Sequence, residues 1–154
     1  MATAGLAAPE LDPALAGVAE AWETFVRALR YARARNRDRS HGLSLSQYEL
    51  LRPLLDQPEG MPAGRLAEYA GVTAASATGA LDGLQDAGVV ERTRTGQDRR
   101  QVTISLTDAG REQLEHKHLD LDGKRRVFFA TLAPEEREQA ERTLRHLAEL
   151  IEEL

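Results

Sequence analysis

The sequence predicts a mostly helical chain with one small β-hairpin, and three observations predict it. Apolar residues recur at three- and four-residue steps over most of the length. One stretch, Val89 to Leu106, turns instead to alternation around a turn sequence, Thr95-Gly96-Gln97-Asp98. Two helical segments joined by a short, glycine-bearing turn lie just before that stretch.

Each element has a local reason. Pro9-Glu10 opens a long helical pattern whose stripe is Leu11, Leu15, Val18, Trp22, Phe25 and Leu29. It fades through an arginine run and is expected to end near His41-Gly42. Ser44 suits an N-cap, and Gln47, three residues on, suits its capping-box partner. The helix they start carries Tyr48, Leu51 and Leu55, and Pro53 inside it is expected to kink it. Asp56 to Pro62 reads as a turn. A short helix from about Ala63 to Ala70 buries Leu66 and Ala67. Gly71-Val72-Thr73 is a tight turn with Thr73 as the next N-cap. The helix Ala74 to Ala87 ends at Gly88, which suits the left-handed C′ position, and its buried side is expected to be Ala77, Leu81, Leu84 and Gly88. Val89 and Val90 start a strand. The return strand alternates Val102, Ile104 and Leu106 against Thr103 and Ser105. Thr107 caps a second long helix, which runs through Leu114, Leu121, Val127 and Phe128. Ala133-Pro134-Glu135-Glu136 starts the last helix, with proline and acids where the first turn favours them. Its stripe is Ala140, Leu144, Leu147, Ile151 and Leu154.

Composition sets bounds. A chain of 154 residues suits one domain, and 42% hydrophobic residues supply a core. There is no cysteine, which removes disulfides, zinc–thiolate sites and thiol-based redox sensing. No apolar run approaches the roughly 20 residues of a membrane span. Met1 to Leu11 has no basic region of the signal-peptide kind. The expectation is a soluble, cytoplasmic protein without a membrane role.

The net charge of −5 hides local patches. Six arginines fall between Arg27 and Arg39 against Asp38, and four between Arg92 and Arg100 against Asp98. Such patches mark a nucleic-acid binder more than the total does. The alternative reading is a set of solvated helix faces. Enzyme motifs are missing: there is no phosphate-binding glycine loop, no nucleophile elbow and no His-Glu-x-x-His.

Helix, short helix, turn, helix and hairpin, in that order, make a winged helix-turn-helix. The long helices before and after it need a partner surface, and a second copy of the chain supplies one most simply. Three fragments then acquire a specific meaning: Leu66-Ala67-Glu68-Tyr69-Ala70-Gly71-Val72-Thr73, Leu81-Asp82-Gly83-Leu84-Gln85-Asp86-Ala87-Gly88-Val89-Val90-Glu91-Arg92, and Asp98-Arg99-Arg100-Gln101-Val102-Thr103-Ile104-Ser105-Leu106-Thr107. In this order and spacing the stretch Gly42 to Leu114 resembles the MarR family of transcription regulators, the last fragment matching that family's Asp-x-Arg wing. The terminal helices resemble the family only in length and pattern.

The resemblance implies a single domain over 1–154. Residues 43–106 would form the DNA-binding lobe, and 9–40 with 107–154 a helical dimerisation lobe. It implies a homodimer on a pseudo-palindromic duplex, probing the major groove with the helix after the turn and the minor groove with the wing. Residues placed toward DNA are Ser44, Gln47, Arg65, Thr73, Ala75, Ser76, Thr78, Gly79, Arg94, Asp98, Arg99 and Arg100, with Arg100 in the minor groove and Asp98 orienting it. A hairpin salt bridge without a DNA role is the alternative for Asp98. The recognition helix departs from expectation, because its outward positions include no Arg, Lys, Asn or Gln. That leaves open a winged-helix dimer used mainly as a protein-interaction module. Repression released by a small aromatic effector is a further implication, with Trp22, Phe25, Tyr31 and Tyr48 as pocket residues or ordinary core. His41 and the pair Glu112/His116 could imitate a metal site, but surface histidines are the expectation, with no cofactor and no metal.

Overall fold

The computed structural model describes residues 13–35, 42–94 and 102–153, and the chain divides into two compact units, 1–47 and 48–154. The first unit holds α1 (Pro13–Arg35). Its stripe of Leu15, Val18, Trp22, Phe25 and Leu29 is exposed throughout. The expected start at Pro9 and end near His41 lie outside the described residues. The capping box ahead of the next helix forms as expected: Gln47 N–H donates to Ser44 Oγ at 3.1 Å, and Ser44 N–H donates to Gln47 Oε1 at 2.9 Å.

The helix they open, α2 (Leu45–Leu51), does not run through Pro53 with a kink. It stops, and Arg52–Leu55 winds as a 3-10 turn with the proline in its first turn, where no N–H is needed. Then come β1 (Met61–Pro62), α3 (Ala63–Ala70), α4 (Ala74–Asp86), β2 (Val90–Arg94), β3 (Val102–Leu106), α5 (Asp108–Ala130) and α6 (Pro134–Glu152). The hairpin gains a third strand that the sequence reading took for part of a turn. β1 pairs antiparallel with β3, Met61 opposite Ile104 and Pro62 opposite Thr103, giving the order β1-β3-β2. A proline is tolerated there because β1 is an edge strand.

The core of the second unit is built from fully buried Leu51, Leu54, Leu66, Leu81, Leu84, Val90, Ile104 and Leu114. Each buried side chain of this size contributes roughly 1.5–3 kcal/mol. On α4, Ala77, Leu81 and Leu84 point inward as expected, whereas Gly88 is exposed and serves only the turn, at φ +71°.

The start of α5 is locked onto that core. Thr107 Oγ1 accepts from Gly110 N–H at 3.0 Å and donates to Gly88 O at 2.6 Å, while Thr107 N–H donates to Val89 O at 3.1 Å. Gly110 lies directly against the Val89 carbonyl. Beyond Leu114 the helix leaves the core. Leu119, Val127 and Phe128 on α5 and Leu144, Leu150 and Ile151 on α6 are exposed, and no described residue of α6 is buried. Arg137 ties the two helices at their corner by donating to Phe129 O at 3.0 Å and Ala130 O at 3.1 Å, where a cation also meets the negative end of α5. Among the described residues no helix is long and apolar enough to cross a membrane.

Candidate nucleic-acid interface

The turn between α3 and α4 is closed by backbone chemistry. Gly71 adopts φ +62°, and Val72 N–H returns to Ala67 O at 3.0 Å. Thr73 then caps α4: its Oγ1 accepts from Ser76 N–H at 3.1 Å and donates to Ser76 Oγ at 2.9 Å. Ser76 therefore acts as an acceptor within the cap, and its own hydroxyl proton remains to be given elsewhere. Thr78 differs, because its proton goes back to Ala74 O at 2.8 Å. It offers an approaching base an acceptor rather than a donor.

Ala75, Ser76, Thr78 and Gly79 share the exposed side of α4 with Asp82, Gly83 and Asp86. The helix carries two acids and no base. Asp82 is paired: its Oδ1 lies 2.6 Å from Nη2 of Arg92 on β2. Sequence reasoning counted Arg92 only as part of a patch. The signal was its position two residues after Val90, on the strand face that meets α4.

The remaining candidates fall as follows. Arg65 pairs with Glu68 at 3.0 Å, both exposed, an arrangement worth little that a phosphate can displace. Ser44 and Gln47 are engaged with each other in the capping box. The backbone of Arg94 closes β2 opposite Val102. Asp98, Arg99 and Arg100 lie outside the described residues, as does His41.

Of the effector candidates, Trp22 and Phe25 are neighbours on α1 with ring centroids 6.3 Å apart, and Tyr31 on the same helix is exposed. Tyr48 belongs to the second unit, where it is buried against α5. Its Oη lies 2.8 Å from His118 Nδ1, and the two rings stack at 6.2 Å. The sequence reading did not link these two residues. One turn further along α5, Asp122 is held below the usual carboxylate range, chiefly by the hydrogen bond from Arg126. Among the described residues, no three histidines or carboxylates gather as a metal site would need.

Comparison with known proteins adds to this geometry. Residues 41–101 match a family model described as the MarR family. Over 75 residues the chain is 37% identical to the HTH-type transcriptional repressor YetL of Bacillus subtilis, an alignment covering 48% of this chain and 45% of YetL. The chain spans about half the length of the curated relatives it matches. Among solved structures it is similar to Streptococcus pneumoniae FabT in complex with DNA, with a TM-score of 0.73 and 21% identity over 87% of this chain and 94% of that one. It is also similar to the PcaV transcriptional regulator of Streptomyces coelicolor, with a TM-score of 0.66 and 25% identity over 86% of this chain and 98% of that one.

Proposed function

We propose that this chain, whose residues 41–101 match the MarR family, is a DNA-binding transcription regulator that works as a homodimer. The observation that supports this best is the capped, outward-facing N-terminal half of α4, set beside the two strands of a wing. Catalysis is not the reading that the family or the site favours.

The dimer reading rests on the apolar faces. Leu119 and Val127 flank Gly123 on α5, and Leu144 and Ile151 stand exposed on α6. Large apolar side chains left exposed along two long helices are what an interface would cover. A two-fold dimer presents two winged lobes to half-sites about one helical turn, ~34 Å, apart. If each subunit neutralises three or four phosphates, the log–log salt slope should be roughly −5 to −7. A titration on DNA from upstream of the protein's own gene, at several salt concentrations, checks this. A flat slope favours the interaction-module reading that the base-free α4 suggests.

YetL carries the name of a repressor, and we extend repression to this chain on that likeness. The effector reading adds a small aromatic molecule bound beside α1, close to Trp22 and Phe25. It would act without thiol oxidation, since there is no cysteine. Trp22 is the sole tryptophan, so saturable quenching of its fluorescence by an aromatic acid that also releases DNA is the expected result. Quenching without release would separate the ligand from the regulation.

A further inference from the structure

We infer that Asp82 and Arg92 form a strut that sets the angle between the recognition helix and the wing, so that an acid on the DNA-reading helix strengthens DNA binding. The strut concerns the same interface and rests on the DNA-binding reading above.

Arg92 stands opposite Ile104 in the β2–β3 ladder, so both side chains leave the same face of the sheet. Ile104 and Val90, the latter two residues before Arg92, are both fully buried. Arg92 is thus where the core-facing side of β2 runs out toward the wing. Its stem continues that face, and its guanidinium reaches the carboxylate of Asp82 at 2.6 Å. On α4, Asp82 is flanked by buried Leu81 and Leu84, which fix the rotation of the helix about its axis.

The chain joins α4 to β2 at one end only, through Ala87, Gly88 and Val89. Buried Leu81 and Leu84 on α4 and Val90 on β2 hold the two elements together at the core end, and the corner between them contains a glycine at φ +71°. The ion pair adds a tie outside that core, one turn back along α4 and two residues out along β2, where the wing begins. Two elements that enter neighbouring grooves need that angle fixed before they meet DNA, because ordering it on binding would subtract from affinity.

The sign of one substitution isolates the role. Asp82→Asn removes a negative charge beside a polyanion and keeps the side chain's shape. Simple electrostatics demands tighter binding. A strut demands weaker binding. The exposed pair contributes little to folding, so the variant should fold.

The test titrates wild type, Asp82→Asn, Arg92→Gln and the double variant, as full chains, on the upstream DNA fragment and on a scrambled duplex. For Asp82→Asn the expected result is operator binding about three- to tenfold weaker with an unchanged salt slope. The double variant should be no weaker than the worse single variant. Equal or tighter binding by Asp82→Asn overturns the strut. So does a salt slope that falls by about one per subunit in Arg92→Gln, which would make Arg92 a phosphate ligand. A second measurement needs no DNA. The chain lacks cysteine, so spin labels at Gly79→Cys and Thr93→Cys report the helix-to-wing distance cleanly. Asp82→Asn should broaden that distance distribution, and an unchanged distribution also overturns the strut. If wild type binds no duplex, the DNA-binding reading fails, and the spin-label result alone decides whether the strut exists.

Discussion

Gly110→Ala is expected to destabilise the second unit by about 3 kcal/mol, the upper part of the range for overpacking a well-packed site. A methyl group at this position would overlap the carbonyl of Val89, lying 2.7 Å from its carbon and 3.1 Å from its Cα. Those atoms are backbone, so no side chain can rotate away. Backbone movement there would also disturb the bonds from Thr107 to Gly88 and Val89 that start α5. At about 2–4 °C per kcal/mol for a chain of this size, Tm should fall by roughly 6–12 °C. Gly83→Ala supplies the opposite sign. A methyl group there meets nothing within 4 Å, and the residue sits in the exposed interior of α4. Replacing it should stabilise by roughly 0.8–1 kcal/mol. Urea denaturation of both variants, compared at constant m, checks the pair. A Gly110→Ala midpoint equal to that of wild type would show that α5 does not need this close approach.

The parts of the fold that were legible in the sequence are those decided within a few residues. The caps at Ser44, Thr73 and Thr107 were readable because a hydroxyl and an amide three residues on are enough to make them. The order of helices and strands followed from periodicity. Pro53 shows where periodicity misleads. Tyr48, Leu51 and Leu55 fit α-helical steps, but after the proline the chain winds with three residues per turn. Leu54 therefore follows Leu51 into the core, and Leu55 is only partly covered. β1 was not legible, because two residues ending in a proline carry no alternation and owe their pairing to β3, about 40 residues away. The same holds for the site. Which side of α4 faces outward could be read from the buried positions, but Asp82 with Arg92 and Tyr48 with His118 meet only because the fold brings separate elements together. No spacing rule joins them.

Arg100→Ala is expected to weaken operator binding by about 2 kcal/mol or more, the scale of a hydrogen bond to a charged group. That is roughly thirtyfold in Kd. The loss should exceed that of any single substitution in α4. The contrast follows from what each element offers. On the exposed N-terminal half of α4, Ser76 is the one hydroxyl with a proton to spare, since Thr78 gives its own to Ala74 O. A neutral hydrogen bond contributes about 0.5–1.5 kcal/mol net. An arginine in a narrow minor groove combines a full charge, several donors and a focused negative potential. On the proposed reading the wing carries this arginine, beyond the point where β2 and β3 are paired, at Arg94 and Val102. On the same reading Asp98, two residues before Arg100 in the sequence, is the proposed orienter of its guanidinium. Asp98→Ala should therefore cost less than Arg100→Ala, since it removes only the orientation. Ser76→Ala should cost least and should act mainly on sequence preference. The three variants are titrated on one operator at fixed salt, and the order of their losses is the result. If Ser76→Ala proves worse than Arg100→Ala, affinity resides in the recognition helix, and its small side chains serve to bring the helix backbone close to the bases.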